Sequence, residues 1–259
     1  MKDIDEKKAP LLDHLIELRT RLLWSIAALV VCFVVAFLFV DQIFAILVHP
    51  LTESFPEGEG RLVYTKLYEA FFVEVKLALF TAFFLAFPII AMQIWRFVAP
   101  GMYANEKKAF LPFLLATPVL FAAGASLAYF VVMPLAFTWF LGFQGETGGL
   151  SLEALPSTDE YLSLVMQFIL AFGIAFQLPI LVMLIERAGL VTLEQLRGAR
   201  RYVIVVGFLV AGILTPPDII SQLMLGIPLI GLYEGALLLI WVTRRRKAKR
   251  AATTADAEA

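Results

Sequence analysis

Residues 22–40 read LLWSIAALVVCFVVAFLFV, a run of 19 residues without a charged side chain. An α-helix rises about 1.5 Å per residue, so about 20 apolar residues cross the hydrocarbon layer of a bilayer, which is about 30 Å thick. The run therefore predicts a membrane-spanning helix. The composition agrees, because 61% of the 259 residues are hydrophobic and only 17% are charged. That is more apolar side chain than a soluble core of this size can bury.

Five further apolar blocks continue this pattern. The shortest, 202–214, has 13 residues and ends at Thr215-Pro216-Pro217-Asp218, where the prolines predict a tight turn. The short last spans predict hydrophobic mismatch, which either local thinning of the bilayer or recruitment of partner helices would relieve. We predict an all-α membrane protein with six transmembrane helices in one domain, residues 1–242, and a basic and then disordered tail, residues 243–259. The approximate spans are 22–40, 77–98, 110–137, 162–185, 202–214 and 219–242.

Basic residues lie on alternate connections between these blocks. Arg61, Lys66 and Lys76 lie on one side of the membrane, and the other 18 of the 21 Lys and Arg residues lie on the opposite side. The positive-inside rule places the richer side, with both chain termini, in the cytoplasm. Because both flanks of the last two blocks are basic, the short block must cross the membrane as well. Acidic residues gather on the outer connections and the net charge is −1, so nucleic acid is not an expected partner.

The sequence lacks the motifs of catalytic and cofactor-binding proteins. It contains no Walker-type glycine loop, no His-rich metal spacing and no Gly-x-Ser-x-Gly, and His14 and His49 fall on opposite sides of the membrane. The single cysteine, Cys32, lies inside the first span and cannot form an intrachain disulfide. We therefore expect the outer connections to hold their shape by packing alone. We also predict no enzymatic activity, no metal and no cofactor.

The predicted cytoplasmic side places acidic residues among basic ones. Asp13, Glu17 and Glu106 are such residues, and each carboxylate can receive a basic ligand. A guanidinium forms paired hydrogen bonds with a carboxylate, which discriminates Arg from Lys by geometry. The alternative is a role in the helices themselves, because Glu17 precedes Arg21 by four residues and Glu106 follows Asn105, a candidate helix cap. Spacing alone favours this second interpretation.

A series of motifs resembles one family of membrane proteins, the TatC family, which forms the polytopic core of the twin-arginine protein translocase. The first motif is His14-Leu15-Ile16-Glu17-Leu18-Arg19, and the likeness extends over about residues 10–242. Six dispersed motifs in one order are far more specific than any single motif. The others are FP at 87–88, QIWRFVAPGMY at 93–103 with EKK at 106–108, AYF at 128–130 with PLAF at 134–137, AFG at 171–173 with Pro179, and TPPD at 215–218 with SQ at 221–222.

The resemblance implies a cup-shaped, six-helix receptor in the cytoplasmic membrane that binds signal peptides bearing consecutive arginines. It implies export of folded proteins driven by the proton-motive force, without a nucleotide or other cofactor. TatA and TatB type single-span proteins, membrane lipid and further copies of the chain are the implied partners. In the family, two carboxylates contact the arginine pair, which carries over to Glu17 and Glu106, with Arg19 and Phe97 beside them.

The resemblance also implies contacts with partner helices. Gln177 stands where many relatives have Glu, and a Gln can hydrogen-bond across helices with about 0.6–2 kcal/mol. Its partner is either another protein or a helix of the same chain, and we slightly favour the former. The edge formed by the last two spans is where partner helices pack in the family, which implicates Gln222, Met224 and Leu225. Pro216, Pro217 and Asp218 are interpreted as a structural turn.

A secondary transporter of a small solute is the alternative function, since it would also be polytopic and free of nucleotide motifs. Such transporters usually have repeated halves and broken helices that meet at a midplane site. The first three and last three blocks of this chain show no internal similarity. This argues against a transporter.

Overall fold

Helices dominate the computed structural model, which describes residues 2–55, 61–98, 107–147, 150–152, 154–214 and 219–258. A short antiparallel hairpin, with Gly145 opposite Leu152, is an addition to the predicted all-α architecture. The elements are α1 Lys2–Leu38, α2 Val40–Thr52, α3 Glu69–Val98, α4 Lys107–Leu127, a π-helical segment Ala128–Val132, α5 Met133–Leu141, β1 Gly145–Thr147, β2 Leu150–Leu152, α6 Thr158–Ala175, α7 Leu178–Arg187, α8 Leu193–Gly198, α9 Arg200–Leu214 and α10 Ile219–Glu258.

Five helical segments within the described ranges are long and apolar enough to cross a membrane, which confirms a helical, multi-pass membrane fold. α9 has only 15 residues, about 22 Å of helix, which is less than the roughly 30 Å hydrocarbon layer. The sixth crossing at 202–214 and the position of the termini therefore stay predictions. The predicted turn at Pro216, Pro217 and Asp218 lies outside the described residues. The five segments are His14–Leu38, Glu69–Phe97, Phe113–Leu141, Thr158–Arg187 and Ile219–Arg245.

The first of two compact units comprises Met1–Val119 and Phe137–Met166. In this unit α1 packs along α3. Ala78, Ala82 and Ala86 are fully buried, and their spacing of four places them on one face of α3. Small side chains on one face allow membrane helices to approach closely, because such helices associate by packing rather than by the hydrophobic effect.

A buried carboxylate joins two connections of this unit. Glu69, the first residue of α3, is only 5% exposed. Its Oε1 accepts hydrogen bonds from the Ser157 hydroxyl at 2.7 Å and the Asp159 amide at 3.0 Å. Its Oε2 accepts from the amides of Thr65 at 2.6 Å and Lys66 at 3.1 Å. The expectation that packing alone shapes these connections is therefore wrong, because a polar network contributes as well.

The second unit comprises Leu120–Ala136 and Gln167–Ala259. Here α4 and α6 approach so closely that a Cβ atom on Gly124 would lie 2.4 Å from the Phe172 carbonyl oxygen. Only glycine fits such a contact without a shift of the backbone. A hydrophobic cluster joins α8 to α10. Its buried members are Leu193, Leu196, Tyr233, Leu237 and Ile240.

Two predicted boundaries differ from the structure. The predicted span 162–185 is divided into α6 and α7, with Gln177 at the N-cap of α7. Pro179 lies at the start of α7, where its missing N–H breaks no hydrogen bond, so the helix restarts there. α10 continues to Glu258, through the tail that we predicted to be disordered. Ala, Lys and Arg, which are frequent in this tail, have high helix propensity.

Candidate functional site

Glu17 lies on α1 with its side chain 30% exposed. Its Oε1 accepts a hydrogen bond from the guanidinium of Arg21 at 3.1 Å. Arg21 also donates to the Gln93 side-chain oxygen of α3 at 3.5 Å. The helix pair predicted from the spacing of Glu17 and Arg21 is thus confirmed, and the carboxylate remains partly open to solvent.

A ring stack fixes the same part of α1 against the end of α3. The rings of His14 and Phe97 have centroids 4.2 Å apart and are tilted by 18°. Phe97 is half-buried, whereas Arg19 is exposed. The structure thus brings His14 and Phe97 together, and it places Arg19 on α1 about one and a half turns after His14.

This site contains two residues to which the sequence analysis assigned no role. Gln93 supplies a second acceptor for Arg21, and His14 covers one face of Phe97. Both residues belong to the motifs on which the family resemblance rests, and these motifs are the sequence signal that could have identified them as site residues. Glu106, the second predicted carboxylate, and its candidate cap Asn105 lie outside the described residues, although α4 begins directly after them at Lys107.

The residues predicted to contact partner helices have different surroundings. The Gln222 amide donates to the Phe208 carbonyl oxygen at 2.8 Å, which links α10 to α9. Met224 and Ile227 of α10 line an apolar cavity of about 390 Å³ with Val131 of the π-helical segment. Leu225 is 1% exposed and packs inside its own chain. Leu225 therefore offers no surface to a partner helix, whereas Gln222 and Met224 are partly exposed.

Comparison with known proteins decides the family. A family model described as Sec-independent protein translocase protein (TatC) matches residues 13–228. The chain belongs to the TatC family. The TatC protein of Magnetococcus marinus is 48% identical over 254 residues, which are 98% of this chain and 91% of that protein. The TatC protein of Desulforapulum autotrophicum is 41% identical over 234 residues, 90% of this chain and 85% of that protein.

A solved structure agrees with the TatC assignment. The crystal structure of a twin arginine translocase receptor, TatC, superimposes with a TM-score of 0.75 at 42% identity and covers 87% of this chain and 97% of that one. The resemblance inferred from the motifs is thereby confirmed. As a TatC protein the chain is a membrane-embedded, non-enzymatic component of the Sec-independent protein translocase. The alternative of a small-solute transporter is set aside.

Proposed function

We propose that this chain is the receptor for twin-arginine signal peptides and that Glu17 and Glu106 each take one guanidinium. The observation that carries the proposal is the guanidinium of Arg21 against Glu17 at 3.1 Å. A carboxylate that already holds one guanidinium, and that is still 30% exposed, has the chemistry and access to hold another. Glu17 Oε2 accepts no hydrogen bond from any residue that the structure describes, so it offers a free acceptor.

Phe97 and Arg19 complete this proposed site. The Phe97 ring stacks on His14 with a centroid separation of 4.2 Å, and His14 precedes Glu17 by three residues, less than one turn of α1. A half-buried aromatic ring beside a carboxylate suits a peptide in which apolar residues follow the arginines. Arg19 is exposed two residues after Glu17, about half a turn further along α1, and can contact polar or carbonyl groups of the peptide.

In the proposed setting the chain lies in the cytoplasmic membrane with both termini in the cytoplasm. It associates with TatA and TatB type single-span proteins, lipid and further copies of itself, and folded cargo crosses by means of the proton-motive force. The surface near Met224 and Gln222 is the proposed contact for a partner helix. Gln222 Oε1 accepts no hydrogen bond within the described ranges, so it can accept one from a polar group of a partner. Gln177 is a second proposed contact.

The receptor function is tested by site-specific crosslinking. A photo-reactive residue at Thr20, which is exposed and three residues from Glu17, leaves both carboxylates intact. The full chain in lipid nanodiscs should capture a synthetic signal peptide with Arg-Arg in preference to the same peptide with Lys-Lys. Glu17→Gln should lower affinity for the Arg-Arg peptide about 10- to 100-fold, because a hydrogen bond to a charged group contributes about 1.5–3 kcal/mol.

Glu53→Gln is the matched control for this experiment. Glu53, like Glu17, belongs to a pair spaced by four residues, here with His49 at 3.7 Å, and it lies directly after α2. Its substitution should leave capture unchanged. Equal capture of the Arg-Arg and Lys-Lys peptides by the unsubstituted chain would refute the receptor proposal.

A further inference from the structure

Arg21 lies between two acceptors on different helices. One terminal nitrogen of its guanidinium donates to Glu17 Oε1 at 3.1 Å, and the other donates to Gln93 Oε1 at 3.5 Å. Gln93 is 8% exposed and belongs to α3, so its oxygen is a fixed neighbour. The guanidinium thus donates both to a carboxylate on its own helix, α1, and to a side-chain amide oxygen on α3.

Neither contact holds Arg21 strongly. The distance to Gln93 is at the outer limit for a hydrogen bond. The contact with Glu17 is a pair spaced by four residues with 29% and 30% exposed side chains, and such pairs change a population by only about a factor of two. The buried Nε of Arg21 also has no hydrogen-bond partner among the residues described. Arg21 can therefore leave Glu17 easily.

We propose that Arg21 is an internal placeholder, which occupies Glu17 when no peptide is bound and shifts to Gln93 when a peptide arginine takes the carboxylate. This inference rests on the proposed receptor function. The placeholder presents the same guanidinium chemistry as the ligand, so it keeps the Glu17 carboxylate oriented in the empty receptor. It also lowers the apparent affinity of every cationic ligand by a common factor. At the same concentration, a Lys-Lys peptide, which lacks the guanidinium fork, then occupies a smaller fraction of the receptor than an Arg-Arg peptide does.

Variants of the full chain in nanodiscs test the placeholder. The assay is fluorescence anisotropy of labelled Arg-Arg and Lys-Lys peptides. Arg21→Met removes the competing charge but keeps the apolar stem, and it should tighten binding of both peptides about two- to fivefold with their ratio unchanged. Gln93→Met removes the alternative acceptor and should weaken binding about twofold. Arg21→Met should have no tightening effect when Glu17→Gln is also present.

A matched control separates the local effect from the loss of one positive charge. Arg201 is exposed, stacks on Tyr202 at 4.9 Å and, within the described ranges, forms no ion pair with Glu17, so Arg201→Met should leave both affinities unchanged. Equal thermal melting of the variants shows that they are folded, and Arg21→Lys serves as a milder replacement with a smaller expected gain.

Two outcomes would overturn different parts of the reasoning. If the unsubstituted chain prefers Arg-Arg and loses this preference with Glu17→Gln, but Arg21→Met binds no tighter, the receptor proposal stands and the placeholder is wrong. If the unsubstituted chain binds both peptides equally, the receptor proposal fails, and the placeholder fails with it.

Discussion

The short α9 predicts that the bilayer is thinned beside it. α9 has 15 residues, and at 1.5 Å per residue this is about 22 Å, some 8 Å less than the hydrocarbon layer. Arg200, at its first turn, pairs with Glu234 of α10 at 2.7 Å. Both side chains of this pair are about half exposed, so we place this end of α9 at the depth where the membrane meets water. If the other end of α9 also reaches water, the lipid between the two levels must be thinner than usual.

Spin labels at the two ends of α9 measure this thickness. Tyr202 and Ile213 are 60% and 69% exposed, so labels there disturb little packing. Cys32 is first replaced by Ala so that only the chosen positions react. In a bilayer of ordinary thickness we expect both labels to be accessible to a polar relaxation agent. Labels at Phe71 and Ile94 of α3 are the control, because these positions are about 35 Å apart along a helix of full spanning length.

The result that would refute the reasoning is a label at one end of α9 that lies several ångströms inside the hydrocarbon layer. α9 would then sit in a bilayer of ordinary thickness, and no thinning would be needed. Thinner bilayers, made from lipids with shorter acyl chains, should in addition stabilise the chain against thermal unfolding. Mismatch costs fractions of a kcal/mol per ångström, so relief of about 8 Å is measurable.

Two further predictions concern stability. Gly124→Ala should destabilise the fold by about 1–3 kcal/mol, because the new Cβ would lie 2.4 Å from the Phe172 carbonyl oxygen; Gly235→Ala, which meets nothing within 4 Å, should not destabilise it, and equal thermal unfolding of these two variants would contradict the close contact. Glu69→Gln should speed hydrogen exchange at least tenfold at either the Thr65 or the Asp159 amide, because the single amide oxygen of Gln can accept at only one of the two positions where the carboxylate accepts. Unchanged exchange would show that the carboxylate does not hold these connections.

Features that depend on local sequence pattern could be predicted from the sequence. The spans follow from runs of apolar residues, and the Glu17–Arg21 pair follows from a spacing of four on one helix face. Gln177, by contrast, occupies the N-cap position of α7 within a run that reads as one apolar block, so Pro179 is the only sequence signal of the break between α6 and α7.

Contacts between residues far apart in sequence could not be predicted. Glu69 binds Ser157 and Asp159, 88 and 90 residues away, and no spacing rule connects them. Leu225 is buried because of the way α10 packs, which the alternation of apolar residues in a membrane helix does not reveal, since lipid-facing and buried positions are equally apolar. Gln93 belongs to the candidate site because α1 and α3 lie side by side, which the spacing of residues in the sequence does not show.

The most direct test of the receptor account is charge reversal at each carboxylate. Cells in which this chain is the sole TatC protein would carry Glu17→Lys or Glu106→Lys, with Glu53→Lys as the control, and export of a folded reporter with an Arg-Arg signal would be measured at equal membrane levels of the chain. We expect export to fall to background for the first two variants and to stay normal for the control. Normal export with either Glu17→Lys or Glu106→Lys would contradict the account.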